Sequence, residues 1–262
     1  MSTDQSAQEY SASDIEVLEG LEPVRKRPGM YIGGTDDRAL HHLVSEILDN
    51  AMDEAVAGYA NRISIELTPE NRMTIEDNGR GIPVDDHPKY PGKSALEVIM
   101  TTLHSGGKFS NKAYNTSGGL HGVGISVVNA LTTETVVEVA REKQLYRQTF
   151  SRGKAQGSIE KLGAVSNRRG TRVTFQPDPE IFGEDARFSP ARAYKLARSK
   201  AYLFKGVEIR WSCDPSLIAD GDETPAEETL HFPNGILDFL NLKLKGREGF
   251  IQSPFYGEIP FA

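Results

Sequence analysis

The sequence predicts an α+β fold, a two-layer sandwich in which a mostly antiparallel mixed sheet carries its helices on one face. One observation is a long amphipathic helix, because apolar residues recur over 37–57 with helical spacing. A second is a set of alternating segments joined by short turns, which is typical of hairpins. The third is their order, since helices fall between runs of hairpin-linked strands rather than alternating with single strands.

The helix at 37–57 is the best-defined element, and Asp36 or Asp37 can cap its start while Gly58 can end it. Its predicted apolar side comprises Leu40, Leu43, Val44, Ile47, Leu48, Ala51, Ala55 and Val56. Further helices are predicted at 14–22, 95–103, 123–131, 189–204 and 235–244. Strands are predicted at 62–67, 72–76, 135–141, 144–152, 171–176 and 207–212. The predicted loops are 78–93, 104–122 and 214–228.

Composition limits the classes of protein that the 262 residues can form. The formal net charge of −7 argues against a chain whose main role is to hold nucleic acid. The basic run Arg25–Arg27 is either a solvated turn or a small basic patch. Cys213 is the single cysteine, which fits a reducing cytoplasm. The polar start of the chain lacks a signal peptide, and no apolar run approaches the roughly 18 residues that span a bilayer.

One face of the helix at 37–57 carries a group of polar side chains. His42, Glu46, Asn50 and Asp53 fall within a stripe roughly 80° wide. Glu46 could accept a proton from an attacking water, and His42 could orient it. Asn50 offers an uncharged oxygen to a magnesium ion that keeps several waters. The alternative is a solvated helix face with ordinary i,i+4 pairs.

Two segments suggest recognition of a flat ligand that carries an amine. Asp77 ends a predicted strand and is followed by Gly79 and Gly81, whose backbone allows close approach of a ligand. A buried aspartate there can accept a hydrogen bond from an exocyclic amine such as that of adenine. Gly170-Thr171 opens another strand and could share this recognition. The alternatives are a common Asp-Asn-Gly turn and an ordinary strand start.

A glycine-rich loop at 117–124 leads directly into the predicted helix at 123–131. Free N–H groups at a helix start favour a phosphate. The alternative is a flexible hinge. The region around Gly107-Lys108 does not complete a Walker A loop, and no strand immediately precedes 117–124 as a dinucleotide-binding fold requires.

Together, in this order and spacing, the four segments resemble the motifs of the GHKL (Bergerat) ATPases. Residues 17–33 and 117–131 are further similar to the B subunits of bacterial type II topoisomerases. The segments 35–40 and 112–116 look closer to the topoisomerase IV class than to gyrase. Gyrase stays open as an alternative, as does a GHKL module outside the topoisomerases that uses nucleotide to dimerise.

The resemblance implies ATP and Mg²⁺ as cofactors and gives roles to individual residues. It makes Glu46 the general base, Asn50 the magnesium ligand and Asp77 the acceptor of the adenine amine, with Thr171 assisting through water. Gly81, Ile82 and Pro83 would line the pocket, and Lys108 and Tyr114 would lie on a lid over the phosphates. The phosphate loop would comprise Gly119, Leu120, His121, Gly122, Val123 and Gly124. Arg80 and Arg141 would rim the adenine pocket, where coumarin-type inhibitors bind in this family. Tyr10 and Ile15 would lie in an arm that crosses the dimer.

The resemblance also implies a domain division and partners. Residues 1–15 would form the arm, 16–232 the ATP-binding domain and 233–262 the start of a truncated transducer domain. Two copies of the B subunit would dimerise on binding ATP and work with an A-type subunit on DNA. The family's γ-phosphate lysine would lie in the rest of the transducer, so we expect the 262 residues to bind nucleotide and hydrolyse it slowly.

Overall fold

A computed structural model describes residues 17–105, 124–246 and 257. The helices are α1 (Glu22–Lys26), α2 (Gly29–Ile32), α3 (Asp37–Val56), α4 (Ala95–Thr101), α5 (Gly124–Ala130), α6 (Pro179–Phe182), α7 (Pro190–Leu203) and α8 (Ile236–Leu244). The strands are β1 (Arg62–Leu67), β2 (Met73–Asp77), β3 (Thr132–Arg141), β4 (Gln144–Ser151), β5 (Lys154–Ala155), β6 (Glu160–Ala164), β7 (Gly170–Pro177), β8 (Glu208–Cys213) and β9 (Glu227–His231). Within this described part, no helix is both long and apolar enough to cross a membrane.

The described strands form one sheet in the order β5-β4-β3-β7-β2-β1-β8-β9, with β6 also paired to β4. Neighbours in this sheet are antiparallel except β1 and β8, which run parallel. The predicted mixed, mostly antiparallel sheet is therefore confirmed. The connection from β1 to β8 is long, as a parallel pair requires.

The core lies between one face of the sheet and the helices. Alternate residues of the central strands, such as Ile63, Ile75 and Val173, are buried in one cluster with the apolar side of α3. The opposite positions on these strands are mainly charged or polar, as expected when one sheet face meets water. Packing on a single face confirms the predicted two-layer sandwich and holds α3 against β2.

The ends of α3 follow from local chemistry. Asp36 caps the first turn by accepting a hydrogen bond from Ala39 N at 2.9 Å. The helix ends at Val56, one residue before the predicted end, and Gly58 follows with a φ of 79°. The long helix is thus fixed in register, which sets the direction of its polar stripe.

One sequence expectation for the N-terminal region is wrong, and one of the two alternatives for the basic run does not hold for its first two residues. Residues 17–19 are not helical, and the helix predicted at 14–22 begins only at Glu22; residues 14–16 lie outside the described part. Gly20, with a φ of 58°, and Pro23 in the first turn move the start of the helix to this later point. Arg25 and Lys26 lie in α1 rather than in a turn, and Arg25 forms an ion pair with the buried Asp178 at 2.8 Å.

Candidate nucleotide site

The polar stripe predicted on α3 is graded in burial along the helix. His42 is exposed, Glu46 and Asn50 are half-buried, and Asp53 is buried with 1% of its surface exposed. His42 Nδ1 lies 3.6 Å from Glu46 Oε1, which is longer than a good hydrogen bond. The stripe therefore runs from solvent towards the core instead of facing water along its whole length.

Glu46 lies against the start of α5. A Cβ atom built on Gly124 would overlap Glu46 Oε2, so a larger residue there would displace the carboxylate from this position. Gly124 is the last residue of the predicted phosphate loop, and the structure thus brings the first and third motifs into contact. The carboxylate predicted as a base therefore lies beside the first turn of α5.

Asp77 lies at the end of β2 and is buried, with 7% of the residue exposed. Its Oδ1 accepts hydrogen bonds from Gly79 N at 2.7 Å and from Thr171 N at 3.4 Å. Burial raises the pKa of this carboxyl to about 7, and the nearby Glu54 adds to the rise, while the two backbone hydrogen bonds oppose it. A buried acceptor with a shifted pKa is typical of a binding or catalytic position.

Gly170 is required for the strand that carries Thr171 to approach Asp77. Its φ is 107°, and a Cβ atom there would collide with the Asp77 carbonyl. Thr171 then accepts a hydrogen bond through Oγ1 from Ile82 N at 3.2 Å. The second and fourth motifs are therefore joined into one wall.

Arg141, at the end of β3, closes the edge of this wall. Its guanidinium donates to Gly81 O at 3.0 Å, and Gly81 itself has a φ of 78°. Direct contacts among three strands and one loop consequently hold five predicted site residues in place, namely Asp77, Gly81, Ile82, Thr171 and Arg141. Pro83 follows in the same loop and is exposed.

Sequence reasoning missed Glu54, which fixes the position of Arg80. Glu54 Oε2 accepts from Arg80 N at 2.9 Å and Nε at 3.2 Å, and Oε1 accepts from a terminal nitrogen at 2.8 Å. The Arg80 guanidinium also lies over the Tyr59 ring, 3.7 Å from its centroid. The i,i+4 spacing of Glu54 from Asn50 on α3 was the signal that could have found it.

Several predicted site residues lie outside the described part of the chain. They are Tyr10, Lys108, Tyr114, Gly119, Leu120, His121, Gly122 and Val123. Their roles stay predictions. The described residues of all four motifs nevertheless lie along α3, β2, β7 and the start of α5.

Comparison with known proteins gives the same grouping. Residues 35–181, more than half of the chain, match the model of the family described as histidine kinase-, DNA gyrase B-, and HSP90-like ATPase. The B subunit of DNA topoisomerase 4 from Bartonella bacilliformis is 63% identical over 249 residues, which cover 95% of this chain and 36% of that protein. Its counterpart from Caulobacter vibrioides is 63% identical over 251 residues, covering 96% and 36%.

Gyrase relatives are also similar. The B subunit of DNA gyrase from Thermus thermophilus is 50% identical over 247 residues, covering 94% of this chain and 37% of that protein. The crystal structure of the 43K ATPase domain of Thermus thermophilus gyrase B, in complex with an aminocoumarin, has a TM-score of 0.75 and 44% identity. That match covers 90% of this chain and 57% of the solved chain.

The chain thus spans little more than a third of the length of its curated relatives. The family match begins at the cap of α3, passes through β2 and ends after β7. It therefore encloses every described residue that forms the candidate site. This chain belongs to the histidine kinase-, DNA gyrase B- and HSP90-like ATPases.

Proposed function

We propose that this chain is the ATP-binding and ATP-hydrolysing region of a type II DNA topoisomerase, in a B subunit of the topoisomerase IV class. The observation that carries the proposal is the convergence of Thr171, Ile82 and Arg141 around the buried Asp77 carboxyl, with Glu46 against α5. The similarity to topoisomerase 4 B subunits supports the topoisomerase assignment.

The adenine would bind against the wall formed by β2 and β7. The Asp77 carboxylate accepts a hydrogen bond from the exocyclic amine, and Thr171 takes part through water. Gly81, Ile82 and Pro83 line the pocket, while Arg80 and Arg141 form its rim. The aminocoumarin in complex with the related gyrase domain supports coumarin-type inhibitors as ligands of this chain, and the family resemblance would place them at this rim.

Hydrolysis would use the half-buried carboxylate of Glu46. A water oxygen attacks the γ-phosphorus, the bond to the β,γ-bridging oxygen breaks, and Glu46 takes the proton from the water. ADP leaves with the electron pair of the broken bond, and His42 acts only as an orienting neighbour. The phosphates lie at the start of α5, with Gly119–Gly124 as the predicted cradle.

The donor set fits magnesium. Asn50 offers a neutral amide oxygen on the same stripe as Glu46, and Mg²⁺ keeps most of its waters while taking one or two protein oxygens. The described residues form no cluster of three or more His, Cys, Asp or Glu side chains that would hold a metal by themselves. Asn50 would therefore hold the ion together with the nucleotide phosphates, where it neutralises phosphate charge.

The assembly follows from the same class of protein. Residues 1–15 would form an exchanged arm, with Tyr10 reaching the partner's nucleotide, and residues 233–262 would begin the transducer. ATP would close two B subunits into a gate around DNA, in a cytoplasmic enzyme completed by the A-type subunit. Hydrolysis would reset the gate.

The test is the reaction of the full-length protein combined with its A-type subunit. We expect ATP-dependent decatenation of linked DNA circles, with relaxation but no negative supercoiling. Negative supercoiling would assign the chain to gyrase, a candidate kept open by the 50% identity to the Thermus protein. Nucleotide-driven dimerisation with no DNA strand passage would contradict a topoisomerase role altogether.

A further inference from the structure

The face of the sheet opposite the nucleotide site carries a cross-strand row of charged side chains. Register pairs join Glu160 to Arg147, Arg147 to Glu138, Glu138 to Arg172 and Arg172 to Glu76. Opposite charges placed side by side on neighbouring strands stabilise such a row. Five strand positions thus alternate regularly in sign.

The alternation ends at β1. Glu76 pairs with Ser64, and Ser64 pairs with Arg210 on β8, so an uncharged residue lies where the row meets another arginine. At this point the sheet surface forms a cleft of about 570 Å³. Arg62, Arg168 and Arg169 line the cleft together with these residues.

The carboxylates near the cleft are already shared by several arginines. Glu76 binds Arg168 at 3.1 Å and Arg172 at 2.8 Å. Arg168 also forms an ion pair with Glu138 at 2.9 Å. Burial raises the pKa of Glu138, but hydrogen bonds from Arg147 and Arg168 outweigh burial and hold this pKa below its ordinary value. Glu76 therefore cannot neutralise further arginines in the cleft.

The remaining arginines keep donors directed to solvent. Arg210 is exposed and uses Nε towards Glu208, at 2.7 Å. Arg169 donates from one terminal nitrogen to Tyr59 O at 3.0 Å. The Arg62 side chain is exposed and forms no ion pair with any residue that the structure describes. The cleft thus has a local excess of positive charge on a chain whose net charge is −7.

We propose that this arginine cleft binds the phosphodiester backbone of a nucleic acid. Guanidinium groups match phosphate oxygens in pairs, and serine and asparagine side chains add hydrogen-bond donors without sequence preference. The polar lining gives a flat or apolar ligand little to pack on, and the open sheet surface gives a continuous strand room to pass. Asp77 also lines the cleft, although the alternation along β2 places its side chain on the opposite face of the sheet together with Ile75. Nucleotide affinity is therefore measured beside duplex binding.

The experiment measures fluorescence anisotropy of a labelled duplex, roughly 20 base pairs long, against the 262-residue chain at several salt concentrations. The variant R62A/R210A removes two cleft arginines, and R187A/K195A removes the same charge from exposed positions elsewhere. We expect the first variant to lower the slope of log affinity against log salt by about 2, and the second to change it little. Nucleotide affinity should be equal in all three proteins.

Two alternative ligands, a free triphosphate and an acidic polypeptide, are tested separately. Triphosphate and polyglutamate are added as competitors at matched ionic strength. Equal losses in the two double variants, or no duplex binding by the parent chain, would overturn the proposal. Triphosphate or polyglutamate that binds with the same sensitivity to R62A/R210A, while duplex binding stays intact, would also overturn it. If the double variant does not fold, the single variants R62Q and R210Q replace it, each with an expected slope change of about 1.

Discussion

The end of the candidate site proposed to bind adenine, called the adenine end, and the end proposed to hydrolyse ATP, called the hydrolytic end, are built differently. Around Asp77, the acceptor, the backbone donors and the neighbouring Thr171 are buried and lie at hydrogen-bond distance. Around Glu46, the side chain is half-buried, and His42 is exposed and 3.6 Å away. The fold preorganises the first end, whereas we expect the second to reach its working geometry only when nucleotide, water and metal bind. Binding and hydrolysis should therefore respond to substitution separately.

The largest separation is expected for Glu46→Gln in the full-length protein. The amide cannot take the proton from water, so turnover should fall by about 10² to 10⁴-fold. ATP affinity should change little, because adenine recognition lies at the other end. Single-turnover hydrolysis and equilibrium binding measure the two quantities, with the exposed Glu66→Gln as matched control. Near-normal turnover would show that Glu46 is not the base.

The converse separation is expected for Asp77→Asn. The substitution places amide hydrogens where the adenine amine needs an acceptor, and one mispaired buried group costs about 1–3 kcal/mol. ATP affinity should fall by about 10- to 100-fold, while the hydrolysis rate of bound ATP stays within a few-fold. Calorimetric titration beside the exposed Asp185→Asn gives the comparison. A lower hydrolysis rate at saturating ATP, with unchanged ATP affinity, would show that Asp77 acts in hydrolysis and that the two ends do not work separately.

The pH dependence sharpens the role of the adenine end. The folded-state pKa of Asp77 is about 7, above its ordinary value, so the carboxyl is protonated as pH falls below 7 and loses its acceptor role. ATP affinity should therefore drop about tenfold from pH 8 to pH 6. The Glu46→Gln variant should keep this pH dependence, and Asp77→Asn should lose it. The comparison separates titration of Asp77 from titration of the nucleotide itself.

The same shift affects stability with the opposite sign. Because the folded state holds the Asp77 proton more tightly than the unfolded chain, this group's contribution favours folding at low pH. That contribution is lost as pH rises from about 4 through about 7. Asp77→Asn should remove this loss, measured by urea unfolding across the window.

The parts of the site that the sequence predicts share a local origin. His42, Glu46, Asn50 and Asp53 could be grouped because a single helix sets their spacing. Contacts made by distant segments could not be predicted this way. The hydrogen bonds from Arg80 to Glu54, here called the Glu54 collar, depend on the position of the loop after β2. The spacing of residues along one helix does not reveal that position.

The fold shows the same limit. The long helix and the central strands have strong periodic patterns, and they were predicted within a few residues. β9 begins within the loop predicted at 214–228, and no element is predicted for 229–231, because an edge strand in which Leu230 is the buried residue has little hydrophobic alternation. β5, with two residues, and β6, which is mostly exposed, are too short or too polar to show a pattern. Pairing with β4 defines them, and pairing is a tertiary property.

Glu54→Gln tests whether the collar belongs to the adenine end. Losing the charge weakens three hydrogen bonds to Arg80 but leaves the loop in place, so ATP affinity should fall by about 2- to 10-fold. The exposed Glu160→Gln is the control. An unchanged affinity would show that Arg80 is held well enough by Tyr59, or that the rim contributes nothing to nucleotide binding.

The smallest effect is expected for His42→Ala. At 3.6 Å the imidazole makes no strong hydrogen bond to Glu46, so turnover should fall less than about threefold. Its neighbour provides the matched control, because the His41 Nε2 accepts from Ser189 N at 2.8 Å and Nδ1 lies 2.7 Å from Asp37 O. His41→Ala should therefore lower the melting temperature and leave the turnover of folded protein unchanged. If His42→Ala instead reduced turnover as much as Glu46→Gln, the imidazole must engage Glu46 closely in the nucleotide-bound state. The hydrolytic end would then be as strictly organised as the adenine end, only later in the reaction.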